Sequence, residues 1–164
     1  MAGVAELGGR PIAIATFSTP DVSGFVSFLP EPGAGVHVFA NLVVSNAAYH
    51  GKTLGMHIHS HETHHHFDGG KNTAHGVWPK GHAGDLHNNV VVSSKGRVLL
   101  SFVDNRLSVA AGNPACVIGH AVYIHAGADD CGLGGSACSE QNGCAGNTLA
   151  TATITRWGAI DACA

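Results

Sequence analysis

Between Met56 and Asp85 the chain carries eight of its thirteen histidines and closes the run on an aspartate. In order these are Met56-His57-Ile58-His59, His61, His64-His65-His66-Phe67-Asp68, His75 and His82-Ala83-Gly84-Asp85. Neutral imidazole is the commonest transition-metal ligand, and a carboxylate completes a closed zinc site, so this density points to metal. One more histidine, His125, stands far along the chain after the apolar stretch Ala121-Val122-Tyr123-Ile124. A tag or a low-complexity tract needs no such distant partner. The fold must therefore return His125 to the histidine-rich segment.

Short alternating or β-branched runs punctuated by turn residues recur along the sequence. They predict eight strands: Ile12–Phe17, Val22–Phe28, Val36–Val44, Thr53 to about His59, Val90–Val92, Arg97–Phe102, Cys116–His125 and Thr148–Thr155. Pro30 to Gly35 reads as a turn cluster, and Ser94-Lys95-Gly96 as a hairpin turn. No stretch shows a convincing helical period. Two connections are long, Ser60–Leu86 and Ala126–Asn147, and structureless loops above roughly 12–15 residues are usually functional. The first carries the histidines and the second begins right after His125. Antiparallel strands with two such loops meeting at one metal centre predict an all-β, immunoglobulin-like Greek-key barrel or sandwich, in one domain over residues 1–164.

Composition agrees. Apolar residues make up 45% of the chain and charged ones 12%, so it should bury a core. A net charge of −3 argues against nucleic acid or an anionic membrane surface as partner. No apolar run approaches the roughly 20 residues of a membrane helix. The first residues lack the basic and apolar regions of a signal peptide, which makes the cytoplasm the default compartment, or the exterior if a leader was removed.

His57 and His59 lie two apart on a predicted strand, so both imidazoles leave one face of the sheet. His75, His82 and Asp85 add ligands on the adjacent loop. Three nitrogens and one carboxylate suit tetrahedral zinc once one more histidine joins them. His66 lies between the two groups, and a deprotonated imidazole has two nitrogens with which to bridge two metals. Among the five cysteines, Cys138–Cys144 or Cys131–Cys144 could staple the second loop. No Cys-x-x-Cys pair supports a zinc knuckle, and Cys116 and Cys163 have no evident partner.

The order and spacing of Gly55-Met-His-Ile-His59, His66-Phe-Asp68, Lys71-Asn-Thr-Ala-His75, Pro79, His82-Ala-Gly-Asp-Leu86, Gly119-His-Ala-Val-Tyr-Ile-His125, Ala128-Asp-Asp130, Gly134-Gly135 and Gly143-Cys-Ala-Gly-Asn147 resemble copper/zinc superoxide dismutase. The resemblance covers nearly the whole chain, with a zinc loop most similar to the bacterial branch. It implies copper on His57, His59, His66 and His125, and zinc on His66, His75, His82 and Asp85. His66 would be the bridging imidazolate. Asp129 matches the carboxylate that links copper and zinc ligands by hydrogen bonds, and such outer carboxylates fix ring orientation and tautomer.

Two positions depart from the family. Thr148 stands where the family has the arginine that guides superoxide to copper. The loop between His59 and His66 is abbreviated and lacks the cysteine of the family disulfide, whose partner position is Thr151. The family's dimer contacts involve that loop, so a homo-oligomer is admitted but not specified. The resemblance implies a superoxide dismutase of reduced activity acting on a small anionic substrate. The alternative is a dismutase-like carrier or store of copper and zinc, favoured by the missing arginine and the surplus histidines. A third reading is a protein that uses zinc alone to hold its loop. His61, His64, His65, His37, His50, His87 and His120 are expected to face solvent, with the cluster able to hold additional metal.

Overall fold

The computed structural model describes residues 12–63 and 65–157. His64 and Cys163, both singled out above, lie outside them. Eight strands form: β1 (Ile12–Ser18), β2 (Val22–Glu31), β3 (Gly35–Val44), β4 (Thr53–His59), β5 (Asn89–Val91), β6 (Arg97–Asp104), β7 (Ala121–His125) and β8 (Thr148–Trp157). They join in the order β5-β4-β7-β8-β1-β2-β3-β6, and every described pairing of strands is antiparallel. The sheet curls into a nearly closed all-β barrel. Consecutive strands pair at β1–β2–β3 and β7–β8, while β4 leaves β3 to pair with β5 and β7, which makes the connections Greek-key.

Alternation builds the interior. Along β3 every second residue is buried, with Val36, Val38, Ala40, Leu42 and Val44 all at 1% exposure or less. Phe28, Val26, Ile58, Val122, Ile124 and Ile154 meet them from other strands. Each such side chain contributes about 1.5–3 kcal/mol when taken from water.

Four local readings change. Pro30 lies inside β2 opposite Val36, because β1 pairs with β2 only as far as Phe28 and asks no N–H of the proline. Ser94-Lys95-Gly96 is a turn, with Ser93 N–H donating to Arg97 O at 2.8 Å. Its flanking strands diverge, however: β5 pairs with β4 and β6 with β3, so the turn spans the barrel seam. The seventh strand begins at Ala121 and not Cys116. Gly119 has positive φ, and Cys116 makes only an isolated bridge to Ser108. The second long loop contains one helix, α1 (Ala137–Asn142), capped by the Ser136 side chain and ended by Gly143 in the left-handed region. Six residues are too few to show a period, which is why the sequence concealed it.

Cys138, in the first turn of that helix, and Cys144, just past its end, are disulfide-bonded, one of the two pairings left open. Cys116 and Cys131 are free thiols. No helix among the described residues is long and apolar enough to cross a membrane.

One buried ion pair ties the first long loop to the barrel end. Asp104 accepts from Arg106 Nη2 at 2.6 Å, Arg106 Nε at 2.9 Å and Trp78 Nε1 at 3.0 Å. Arg106 Nη1 in turn donates to Gly81 O at 3.1 Å and His82 O at 2.8 Å. The two side chains are 9% and 1% exposed, so solvent screens them little. Replacing Asp104 with alanine should leave the guanidinium buried without its partner and lower stability by about 3–5 kcal/mol in denaturant unfolding of the metal-free protein. A loss under about 1 kcal/mol would show that this pair behaves as an exposed one.

Candidate metal centre

β4 supplies two histidines because it is covered on both faces. Leu54, Met56 and Ile58 enter the barrel, while Gly55, His57 and His59 point outward under the long loops. Gly55 permits this cover: a Cβ there would stand 2.8 Å from Ala145 Cβ and 3.1 Å from His57 Cε1. The abbreviated loop after His59 turns straight back, with Ser60 N–H donating to His65 O at 2.8 Å and Phe67 N–H to Ile58 O at 2.8 Å. His66 therefore bridges in β fashion to His59. Asp85 sits in a one-turn 3-10 helix, Ala83–Asp85, held to the loop by Gly84 N–H donating to Phe67 O at 2.6 Å and packed so closely on β4 that a Cβ at Gly84 would meet Ile58 O.

His125, at the end of β7, lies where the register with β8 shifts, opposite Thr148. The histidine is buried and Thr148 is exposed. The fold thus brings the distant histidine onto the segment from 57 to 85, as the sequence required.

Two sets of ligand atoms result, each with all members within 4.8 Å of one another: His57, His59, His66 and His125, and His66, His75, His82 and Asp85. His66 belongs to both. Its ring centroid lies 4.2 Å from that of His57 and 4.7 Å from that of His59 on one side, and 5.1 Å from that of His75 and 5.7 Å from that of His82 on the other. Its Nδ1–H donates to Asp85 at 2.7 Å, while Nε2 is buried and unpartnered. His57 shows the same division, with Nε2–H donating to Asp129 at 2.6 Å and Nδ1 buried without a partner. Unmet buried nitrogens are costly, and these two belong to the first set. His125 and His59 approach each other there, Nε2 to Nε2, at 3.3 Å.

Two carboxylates organise the histidines. Asp85 Oδ1 meets Nδ1 of His66, His75 and His82 at 2.7, 3.0 and 3.2 Å. Asp129 spans the two sets, taking His57 on Oδ2 and His75 Nε2 on Oδ1 at 2.9 Å. Burial alone would raise both acids. Hydrogen bonds from the histidines outweigh it, and both are held well below the usual carboxylate range.

The histidines divide accordingly. Burial pushes His57 and His125 down, and lowers His66 to about 4. Burial would also depress His75, but hydrogen bonds to Asp129 and Asp85 prevail and raise it to about 9. Both nitrogens of His75 face carboxylates, so in the absence of metal it is the charged ring among neutral ones.

The structure brings His57, His59, His66, His75, His82, Asp85, His125 and Asp129 together, with Thr148 opposite His125. The spare histidines do not all face solvent. His61, His65 and His87 are exposed, but His37, His50 and His120 are half-buried and hydrogen-bonded, to Ser101, Val44 O and His61 N respectively. The sequence reading missed the braces. Asn88 Nδ2 donates to Gly76 O at 3.0 Å and Asp129 at 3.1 Å, and Asn89 exchanges bonds with the Asp129 backbone at 2.9 and 2.8 Å. Adjacent asparagines after Asp85 were the available signal. Tyr123 stacks on His59 at 4.1 Å, which strand alternation with His125 could have suggested.

Known proteins resemble the chain in sequence and fold. The superoxide dismutase [Cu-Zn] of Ramazzottius varieornatus is 31% identical over 136 residues, spanning 82% of this chain and 63% of that protein. The extracellular superoxide dismutase [Cu-Zn] of Rattus norvegicus is 31% identical over 150 residues, spanning 88% and 59%. The chain thus spans about three fifths of the length of these relatives. The crystal structure of the clock protein EA4 superposes with a TM-score of 0.79 at 28% identity, covering 89% of this chain and 94% of that one. With the copper/zinc superoxide dismutase family model matching residues 22–154, the chain belongs to that family.

Proposed function

We propose that the protein is a superoxide dismutase that holds copper on His57, His59, His66 and His125, and zinc on His66, His75, His82 and Asp85. The observation that carries this reading is the pair of buried, unpartnered nitrogens, His57 Nδ1 and His66 Nε2, inside a set of four imidazoles. A metal that favours nitrogen ligands satisfies both, and copper exceeds zinc in affinity for such sites. The second set, with its buried carboxylate, has the composition of a closed zinc site.

Copper when bound supplies one-electron chemistry, so that one superoxide leaves as oxygen and the next takes the electron and two protons to leave as hydrogen peroxide. The chain's residues handle position and protons. Asp129 fixes the His57 tautomer by holding Nε2–H, which leaves Nδ1 as the ligand nitrogen. His66 is the proton carrier: Nε2 is the atom at which a proton is held in one half-reaction and released to the reduced product in the other.

Thr148 sets the limit on rate. It stands opposite His125 with a hydroxyl and no charge, where an anionic substrate would be drawn by a cation. This observation favours the second reading, a carrier or store of both metals with little turnover.

Metal loading should release a countable number of protons. At pH 7.5 His75, with a pKa of about 9, carries a proton on each nitrogen, and a metal at Nδ1 must displace one. His66, neutral at this pH, is satisfied by moving its remaining proton to the other nitrogen. Zinc alone should thus release about one proton, and a second metal on His66 Nε2 about one more. Calorimetry in buffers of different ionisation enthalpy reads this number. Zinc affinity should rise about tenfold per pH unit between pH 7 and 8 and flatten above about 9. Zinc loading with no proton release would show that His75 is not a ligand.

Alanine at His82 or Asp85 should lower thermal stability and loosen the Ser60–Leu86 loop, because metal-binding energy is also folding energy. His125→Ala should instead abolish the Cu(II) visible absorption and dismutation while zinc content persists. Equal loss of both metals in either variant would end the division of roles.

Thr148→Arg should raise the bimolecular rate by about tenfold or less, one charge's share of a steered cleft. The gain should shrink with salt as the Debye length falls from about 10 Å to about 3 Å. If copper-loaded wild type and variant both fail to exceed free copper, the carrier reading takes the place of the enzyme.

A further inference from the structure

The zinc-side set is closed at its centre and open at one rim. The side chains of His66, His75 and Asp85 are 1%, 0% and 0% exposed, whereas that of His82 is 14% exposed. Two openings reach it. One, of about 550 Å³, is lined by His66 and His82 together with Glu62, His65, Asp68 and His120. Thr73, which also lines it, has a buried hydroxyl with no hydrogen-bond partner. The other, of about 330 Å³, is lined by His65, His66, His75, His82 and Glu140.

Both openings lie beside the tight turn between His59 and His66, which contributes His65 to each. Their walls are not neutral filler. Imidazoles and carboxylates are the side chains that take up a divalent cation as it sheds water. His65 is common to both openings and lies outside both ligand sets.

We propose that a divalent metal ion enters the zinc-side set through these openings, passed inward by His65 to His82, with Glu62, Asp68 and Glu140 drawing the cation to the rim. The inference rests on reading His66, His75, His82 and Asp85 as a metal site. Spacing distinguishes transit from storage. Among the described residues ligand atoms converge within 4.8 Å only in the two sets above, so the rim offers one or two contacts at a time and releases what it takes. Bare insertion would require the ion to lose its water before meeting three buried groups, His66, His75 and Asp85. A single exposed imidazole lets that exchange proceed in steps.

The test is the kinetics of Zn2+ uptake by the full metal-free protein and of Zn2+ release to a chromophoric chelator. His65 is exposed, so His65→Ala is expected to fold. A residue that acts only on the path changes forward and reverse rates by one factor. Uptake and release in His65→Ala should therefore both slow by about tenfold, with the dissociation constant unchanged. His37→Ala, far out on β3, should alter neither. Unchanged rates in His65→Ala would overturn the route, and a weakened dissociation constant would make His65 a ligand, which overturns it as well. Separately, if His82→Ala binds Zn2+ with full affinity, the reading of the set itself fails, whatever His65 does.

Discussion

Two buried carboxylates hold this molecule's functional half together. Asp85 is inaccessible and Asp129 nearly so, and an unpaired charge in such a place costs several kcal/mol. Each is compensated by imidazoles from more than one segment: Asp85 by His66, His75 and His82, and Asp129 by His57 and His75. The same contacts join β4, the first long loop and the second. His75 is the shared member, its two nitrogens lying on the two acids. The two long loops are tied down here because these two buried carboxylates are met by imidazoles from different segments.

The braces around the acids extend that order outward. Asn88 and Asn89 hold Asp129 against β5, and Asp104 and Arg106 hold the backbone at Gly81 and His82 against the end of β6. In the proposed holo protein the metals replace protons at nitrogens already aimed by these contacts. Much of the ordering entropy of the loops is then met before metal arrives, which favours tight binding.

The strands were legible because barrel alternation is a two-residue signal that survives in short windows: Val36 to Val44 states it almost without interruption. The ligands were legible because His57-x-His59 and His82-Ala-Gly-Asp85 are local, and because His125 follows an apolar strand. What stayed hidden is non-local or short. Nothing near Arg106 announces that it will reach the carbonyls of Gly81 and His82, and Tyr123 gives no sign of its stacking partner until β4 and β7 are paired. The six-residue helix Ala137–Asn142 owes its existence to Ser136, Gly143 and the Cys138–Cys144 bridge, so no internal period marks it. The span from Cys116 was read as strand because its residues are apolar, yet Val117 serves the core from a turn.

The two histidine sets lie in the interior with Asp129 between them, while Thr148 and the tight turn between His59 and His66 lie at the rim. One opening at that rim, about 240 Å³, is lined by His59, Tyr123 and Thr151, with Tyr123 stacked on His59. Interior contacts govern which metals are held and at what potential, through ligand identity and burial. Perimeter contacts govern how fast ions and substrate arrive, through charge and access. Because the two kinds of contact involve different residues, metal retention and the traffic to the metals can vary separately in this fold. On that division, the enzyme and carrier readings differ in rate alone, and both draw on the same buried network.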